Sequence, residues 1–318
     1  MTAEEIFNLG IEQGIKNDPR GINEVKRILR ENKREYEELP AKKKAEYDKE
    51  KFSNPYSDSR FLTGNRKAKI NRVLVGIDIG TEEVLLAKEL ERQGKPIDLI
   101  IAHHPEGQAL ADLHEVMDIQ TAVLASAGVP ENIGEGVLRD RLEEVWRSVA
   151  SANHFKSVMA AELLNYPMIN IHTPADNCVW KFVNDFLKNK NLRTVEEIVD
   201  ALKEIPEYKI ASKNHAGPVI FAGNPKGRVG KLVVSGMTGG TSGSEKIYER
   251  MSHYGIGTEV AMHIREEDRK EAVKHYINVV IAGHIASDSL GLNIILDKLE
   301  KSGVEIIPCS GLIRYSRV

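Results

Sequence analysis

His103 and His104 follow directly on the apolar run Ile97–Ala102, His172 follows Met168–Ile171, and His284 follows Tyr276–Ala282 after one glycine. His263 stands near the end of another such run, Glu259–Ile264. Each run has the length and composition of a β-strand. Polar groups at the carboxyl ends of parallel strands gather at one edge of the sheet, where α/β proteins bind ligands. Asp176 lies four residues beyond His172, and Asp288 four beyond His284. On a helix, residues four apart face one way, and a His–x3–ligand pair can hold one metal ion. Imidazole with carboxylate suits Zn, Fe, Mn or Co better than Ca or Mg. The residues therefore predict a transition-metal site built from His103-His104, His172-Thr-Pro-Ala-Asp176 and Gly283-His-Ile-Ala-Ser-Asp288.

The remaining histidines, His114, His154, His215, His253 and His275, read as ordinary hydrogen-bonded residues. The segment Ser235-Gly-Met-Thr-Gly-Gly-Thr-Ser-Gly-Ser244 lies between a predicted strand and a predicted helix, Ser244–Tyr254. Free backbone N–H groups at a helix start favour an anion, so Gly239, Gly240 and Ser242 are candidates to cradle a substrate phosphate. A tight strand-to-helix turn explains the same glycines equally well. The segment lacks the Gly-Lys-Ser/Thr ending of a nucleotide-binding P-loop. Cys178 and Cys309 read as small apolar residues.

The elements that must position these groups alternate strand and helix from Arg72 onward, which implies largely parallel sheets covered by helices. The expectation is an α/β fold of two interlinked lobes with mainly parallel sheets, plus a helical N-terminal arm. The arm spans residues 1–55, a first lobe with the double-His motif 56–205, and a second block with the Gly-rich loop 206–318. Within the arm, Ile22, Val25, Ile28 and Leu29 make a helical apolar stripe. The Lys42–Lys44 run is interleaved with acids and reads as a solvated face rather than a nucleic-acid contact. Val145–Leu164 is expected to be one long helix. Lys and Arg number 44 and Asp and Glu 47, giving a net charge of −3, which argues for neither nucleic acid nor an acidic partner. No signal peptide and no membrane-length apolar run are visible, so cytoplasmic residence is the default expectation.

Taken together, these segments resemble the NGG-interacting factor three-like family, a group of dinuclear-metal proteins often labelled GTP cyclohydrolase I type 2. Asp58-Ser-Arg-Phe-Leu-Thr-Gly64, Leu99-Ile-Ile-Ala-His-His-Pro105, His172-Thr-Pro-Ala-Asp176 and Gly283-His-Ile-Ala-Ser-Asp288 are similar to the family's motifs, in order, over about residues 56–318. The resemblance implies two divalent transition-metal ions held by His103, His104, Asp176, His284 and Asp288. It also implies a homo-oligomer, often ring-like. Asp288 departs from the family's glutamate and is one methylene shorter. The chemistry expected of such a centre is hydrolysis of a phosphoester or nucleotide-like substrate by a metal-bridging hydroxide, with His172 as proton shuttle. The rivals are opening of the GTP ring and a non-catalytic, metal-binding scaffold.

Overall fold

The computed structural model describes all residues, Met1–Val318. Its strands are β1 Phe61–Thr63, β2 Arg72–Gly76, β3 Leu99–Ala102, β4 Met168–Asn170, β5 Val219–Ala222, β6 Lys231–Val234, β7 Ile256–Ala261, β8 Asn278–Ile281 and β9 Glu305–Cys309. Its helices up to the first metal motif are α1 Ala3–Lys16, α2 Ile22–Glu38, α3 Ala41–Lys44, α4 Thr81–Arg92, α5 Gln108–Ala111, α6 Ile119–Ser126, α7 Glu131–Val149 and α8 Lys156–Leu163. Then come α9 Thr173–Lys188, α10 Val195–Leu202, α11 Pro206–Lys213, α12 Ile247–His253, α13 Glu266–Lys274 and α14 His284–Lys301.

Two sheets form, with strand orders β1-β4-β3-β2-β9 and β5-β8-β7-β6. The first is parallel except for β1, and the second parallel except for β5. The central strands are apolar along their length, as strands covered on both faces must be: Val73, Leu74 and Val75 are all buried. Val73 and Val75 face a core shared with α1, α9 and α14, while Leu74 faces α4 and α8. In the second sheet Val260 and Val280 face α9, α10 and α11, and Val233 and Val279 face α6, α12 and α13.

Helices α9 and α14 belong to both lobes. Cys178 and Leu292 pack into the core of the first sheet, and Val179, Val183 and Leu290 into that of the second. Buried from both sides, these helices are apolar around most of their circumference. Gly291 permits their contact, since a Cβ there would stand 2.3 Å from the Ala175 carbonyl oxygen. Both His–x3–Asp motifs lie at the amino ends of this shared pair.

Two expectations need correction. β9, near the end of the second block, returns to pair with β2 in the first sheet, so the sheets do not divide at residue 205. The N-terminal arm is helical and partly built into the first core, where Ile6, Phe7 and Ile11 of α1 are buried. Val145–Leu164 is two helices, interrupted where Gly107 N–H donates to the His154 carbonyl at 2.7 Å. No helix is long and apolar enough to cross a membrane.

Candidate metal centre

The carboxyl ends of the parallel strands deliver the site. β3 runs straight into His103 and His104, and β4 ends two residues before His172, which caps α9. After β8, Gly283 turns the chain at φ 110°, a conformation glycine adopts without strain, and α14 then opens on His284. Asp176 thus sits in the first turn of α9, and Asp288 just beyond the first turn of α14.

Asp288 is central. Its Oδ1 lies 3.5 Å from His103 Nε2, and its Oδ2 lies 3.4 Å from His104 Nε2 and 3.6 Å from His284 Nε2. Asp176 Oδ1 lies 3.4 Å from His103 Nε2, and its Oδ2 3.7 Å from His172 Nε2. These gaps are too long for good hydrogen bonds. They match the separation of about 3.4 Å between two ligand atoms that each stand ~2.1 Å from one tetrahedral ion. His103 Nε2, Asp176 Oδ1 and both Asp288 oxygens are buried without a hydrogen-bond partner. Leaving each such atom unsatisfied costs roughly 1–3 kcal/mol. Three sets of ligand atoms each fall within 4.8 Å: His103, His104 and His172; His104, His284 and Asp288; and His103, Asp176 and Asp288. The residues fit a metal ion.

Three imidazoles are held by their other nitrogen. Nδ1 of His103 meets the Ile171 carbonyl at 3.0 Å, that of His104 meets Asp78 Oδ1 at 2.6 Å, and that of His172 meets Asp58 Oδ2 at 2.7 Å. Carbonyls and carboxylates only accept, so each Nδ1 carries a proton and each Nε2 is the nitrogen turned to the centre. Asp58 is buried and also accepts from Thr173 Oγ1 at 2.6 Å. Of these supports, Asp58 lay within a recognised motif without a role, and Asp78 gave no signal.

Burial alone would favour neutral His103, but the Asp288 and Asp176 carboxylates outweigh it and raise the ring to about 10. Asp288 is pulled the other way: burial would raise it, yet His103, His104 and His284 hold it below the usual carboxylate range. Metal must therefore displace a proton from His103 throughout the neutral range. Below a pKa of about 10 the protonated fraction grows as pH falls, so metal affinity is expected to weaken about tenfold per unit of acidification. Zinc titrations of metal-free protein at mildly acidic and mildly alkaline pH check this; a flat profile would contradict it.

His263 is a further member that the sequence left without a role. Its ring lies 4.6 Å from that of His284, and its Nδ1 3.1 Å from Ser242 Oγ. Burial and the neighbouring His284 lower it to about 4, so it is neutral at neutral pH. Ser242 and Gly240 line a cleft that also reaches His172, Asp176 and His284, whereas Gly239 faces Gln120, whose Nε2 donates to the Gly239 carbonyl at 2.7 Å. The loop does not open into a helix at Ser244 as expected, because α12 starts only at Ile247. The helix-start argument for an anion cradle therefore fails here.

No protein-family model matches the chain, and no curated protein does. Among solved structures, the NIF3 superfamily protein from Sphaerobacter thermophilus is 28% identical, with a TM-score of 0.71 over 92% of this chain and 98% of its own. Reduced HcgD from Methanocaldococcus jannaschii is 14% identical, with a TM-score of 0.48 over 78% of this chain and 86% of its own. TTHA1606 from Thermus thermophilus is also 14% identical, with a TM-score of 0.45 over 83% of this chain and 92% of its own. The first match spans nearly the whole of both chains, and the motifs that carried the resemblance converge on one centre: the chain is a strong structural match to the NIF3 superfamily protein and consistent with that family.

Proposed function

We propose that the chain is a cytoplasmic metal-dependent hydrolase that uses two divalent transition-metal ions, Zn, Fe, Mn or Co, on a phosphoester or nucleotide-like substrate. The observation that supports this reading is the disposition of Asp288. Its Oδ1 faces His103, beside Asp176, and its Oδ2 faces His104 and His284. One short carboxylate thereby serves two ligand groups, and the missing methylene of glutamate need not cost a contact. Five protein ligands shared by two ions leave positions for water and substrate, as catalysis requires. Ions bound there would lower the pKa of a water towards ~7 and offset charge developing on a substrate oxygen.

The chain's own contribution is orientation and proton handling. Asp58 fixes the His172 tautomer, which leaves Nε2 free to accept or return a proton at the cleft wall. Neutral His263 holds Ser242 beside the same opening. The cleft lining includes no Lys or Arg, so nothing beyond the metal centre would meet the charge of a triphosphate. That disfavours GTP ring opening.

The test is turnover of aryl phosphomonoesters and phosphodiesters by metal-loaded protein. In Asp58→Asn the His172 tautomer is no longer fixed, and kcat is expected to fall about 10–100-fold with metal content unchanged. Absence of turnover on every ester, with the ions bound, would leave the scaffold reading. We further propose that the chain forms a homo-oligomer. Leu85 of α4 and Met159 and Leu163 of α8 are 56%, 58% and 80% exposed, and α4 and α8 pack together. Light scattering that returns a monomer mass would contradict assembly.

A further inference from the structure

Away from the metal ligands, the cleft changes character. Its walls there are apolar, formed by Val123, Leu124, Leu138, Ile247, Met251 and Met262. Two carboxyl groups stand among them, Asp268 and Glu259 of β7, and Glu259, only 6% exposed, is the one without a cationic partner. Ser235 Oγ donates to its Oε1, and Tyr248 Oη donates to its Oε2 at 2.8 Å. A carboxylate offers about four acceptor positions, so two neutral hydroxyls leave roughly half of them open. Glu259 makes no salt bridge, and Asp268, whose charge acts on it, is already paired with Arg265 at 2.7 Å. Burial accordingly pushes the Glu259 carboxyl above its usual range. A buried charge without a counter-ion is costly, and a paired, hydrogen-bonded one much less so.

We propose that this cleft takes a ligand with a cationic nitrogen head, an amidinium or primary ammonium, seated on Glu259, and an apolar body extending towards the metal centre. The assignment rests on reading the cleft as the substrate site of that centre. Charge-assisted N–H donors would fill the open acceptor positions of Glu259. The apolar walls would desolvate the body. An anionic head at the same place would meet a carboxylate and no cation. Glu259 is then a specificity-determining residue, remote from the reacting bond.

The probes are benzamidine and its neutral isostere benzamide, titrated calorimetrically into metal-loaded, full-length protein. Benzamidine is expected to bind more tightly than benzamide, and Glu259→Gln to weaken benzamidine by at least about tenfold. Tyr248→Phe keeps the carboxylate and is expected to keep the preference, which guards against a folding defect in the first variant. Equal affinity for the two probes, or benzamidine binding unchanged in Glu259→Gln, overturns the proposal. Metal content is measured on every sample, so the two readings fail separately. Ions bound without a cation preference remove the cleft assignment alone. A Glu259-dependent cation preference without ester turnover upholds the assignment and removes the hydrolase.

Discussion

Asp288→Asn is expected to lower bound metal at least tenfold and to abolish the thermal stabilisation that metal confers. The two Asp288 oxygens face His103 on one side and His104 with His284 on the other. An amide supplies one neutral acceptor and turns an NH2 group, which cannot ligate, towards the other set. It also removes the negative charge that would offset bound metal in a buried place. In the wild type, metal at a thousandfold excess over Kd should stabilise the fold by about 4 kcal/mol. For a chain of this length that is a rise in Tm of about 6 °C. Differential scanning calorimetry with and without zinc should show this rise in the wild type and none in the variant. A variant that kept the full metal-dependent shift would remove Asp288 from the centre.

Gly291→Val is expected to lower Tm by about 4 °C and to impair metal loading in the same step. The clash it creates is with backbone. A Cβ at 291 would lie 2.3 Å from the Ala175 carbonyl oxygen and 2.8 Å from its carbon, so no rotamer change relieves it. Overpacking of this kind costs on the order of 3 kcal/mol, which sets the Tm shift for a chain of this size. The relief available is separation of α14 from α9, and that draws Asp288 away from Asp176. Gly136→Ala is the control. Gly136 is exposed within α7 with nothing near its missing Cβ, and alanine there should stabilise the protein by up to ~1 kcal/mol. Wild-type Tm and wild-type metal content in Gly291→Val would show that the helix contact does not hold the ligands in place.

Much of this arrangement was legible in the sequence because its logic is local. A histidine after an apolar run reads as a strand-end group. A histidine and an aspartate four residues apart at the start of a helix read as one face, and His172–Asp176 and His284–Asp288 carry that signal without any tertiary knowledge. What could not be read is what depends on distant partners. Asp78 supports His104 across 26 positions, Asp58 supports His172 across 114, and Ser242 meets His263 across 21. The antiparallel edge strands β1 and β5 are three and four residues long, too short for an alternating pattern to stand out. The return of β9 to the first sheet is a long-range pairing, which neither its composition nor its position near the C-terminus discloses. The Gly-rich loop carries two readings for a related reason. Its glycines admit close packing against Gln120 and Val116, and that requirement looks in sequence like a cradle for an anion.

The most direct test of the metal centre is metal content per chain, determined by mass spectrometry on protein purified without chelator or a metal-affinity tag. A His104→Ala variant is prepared alongside. About two transition-metal ions per chain, largely lost in the variant, is the result expected from ligand groups joined through Asp288. Less than about a tenth of an ion per chain, even after reloading with Zn, Mn and Fe(II), would contradict it.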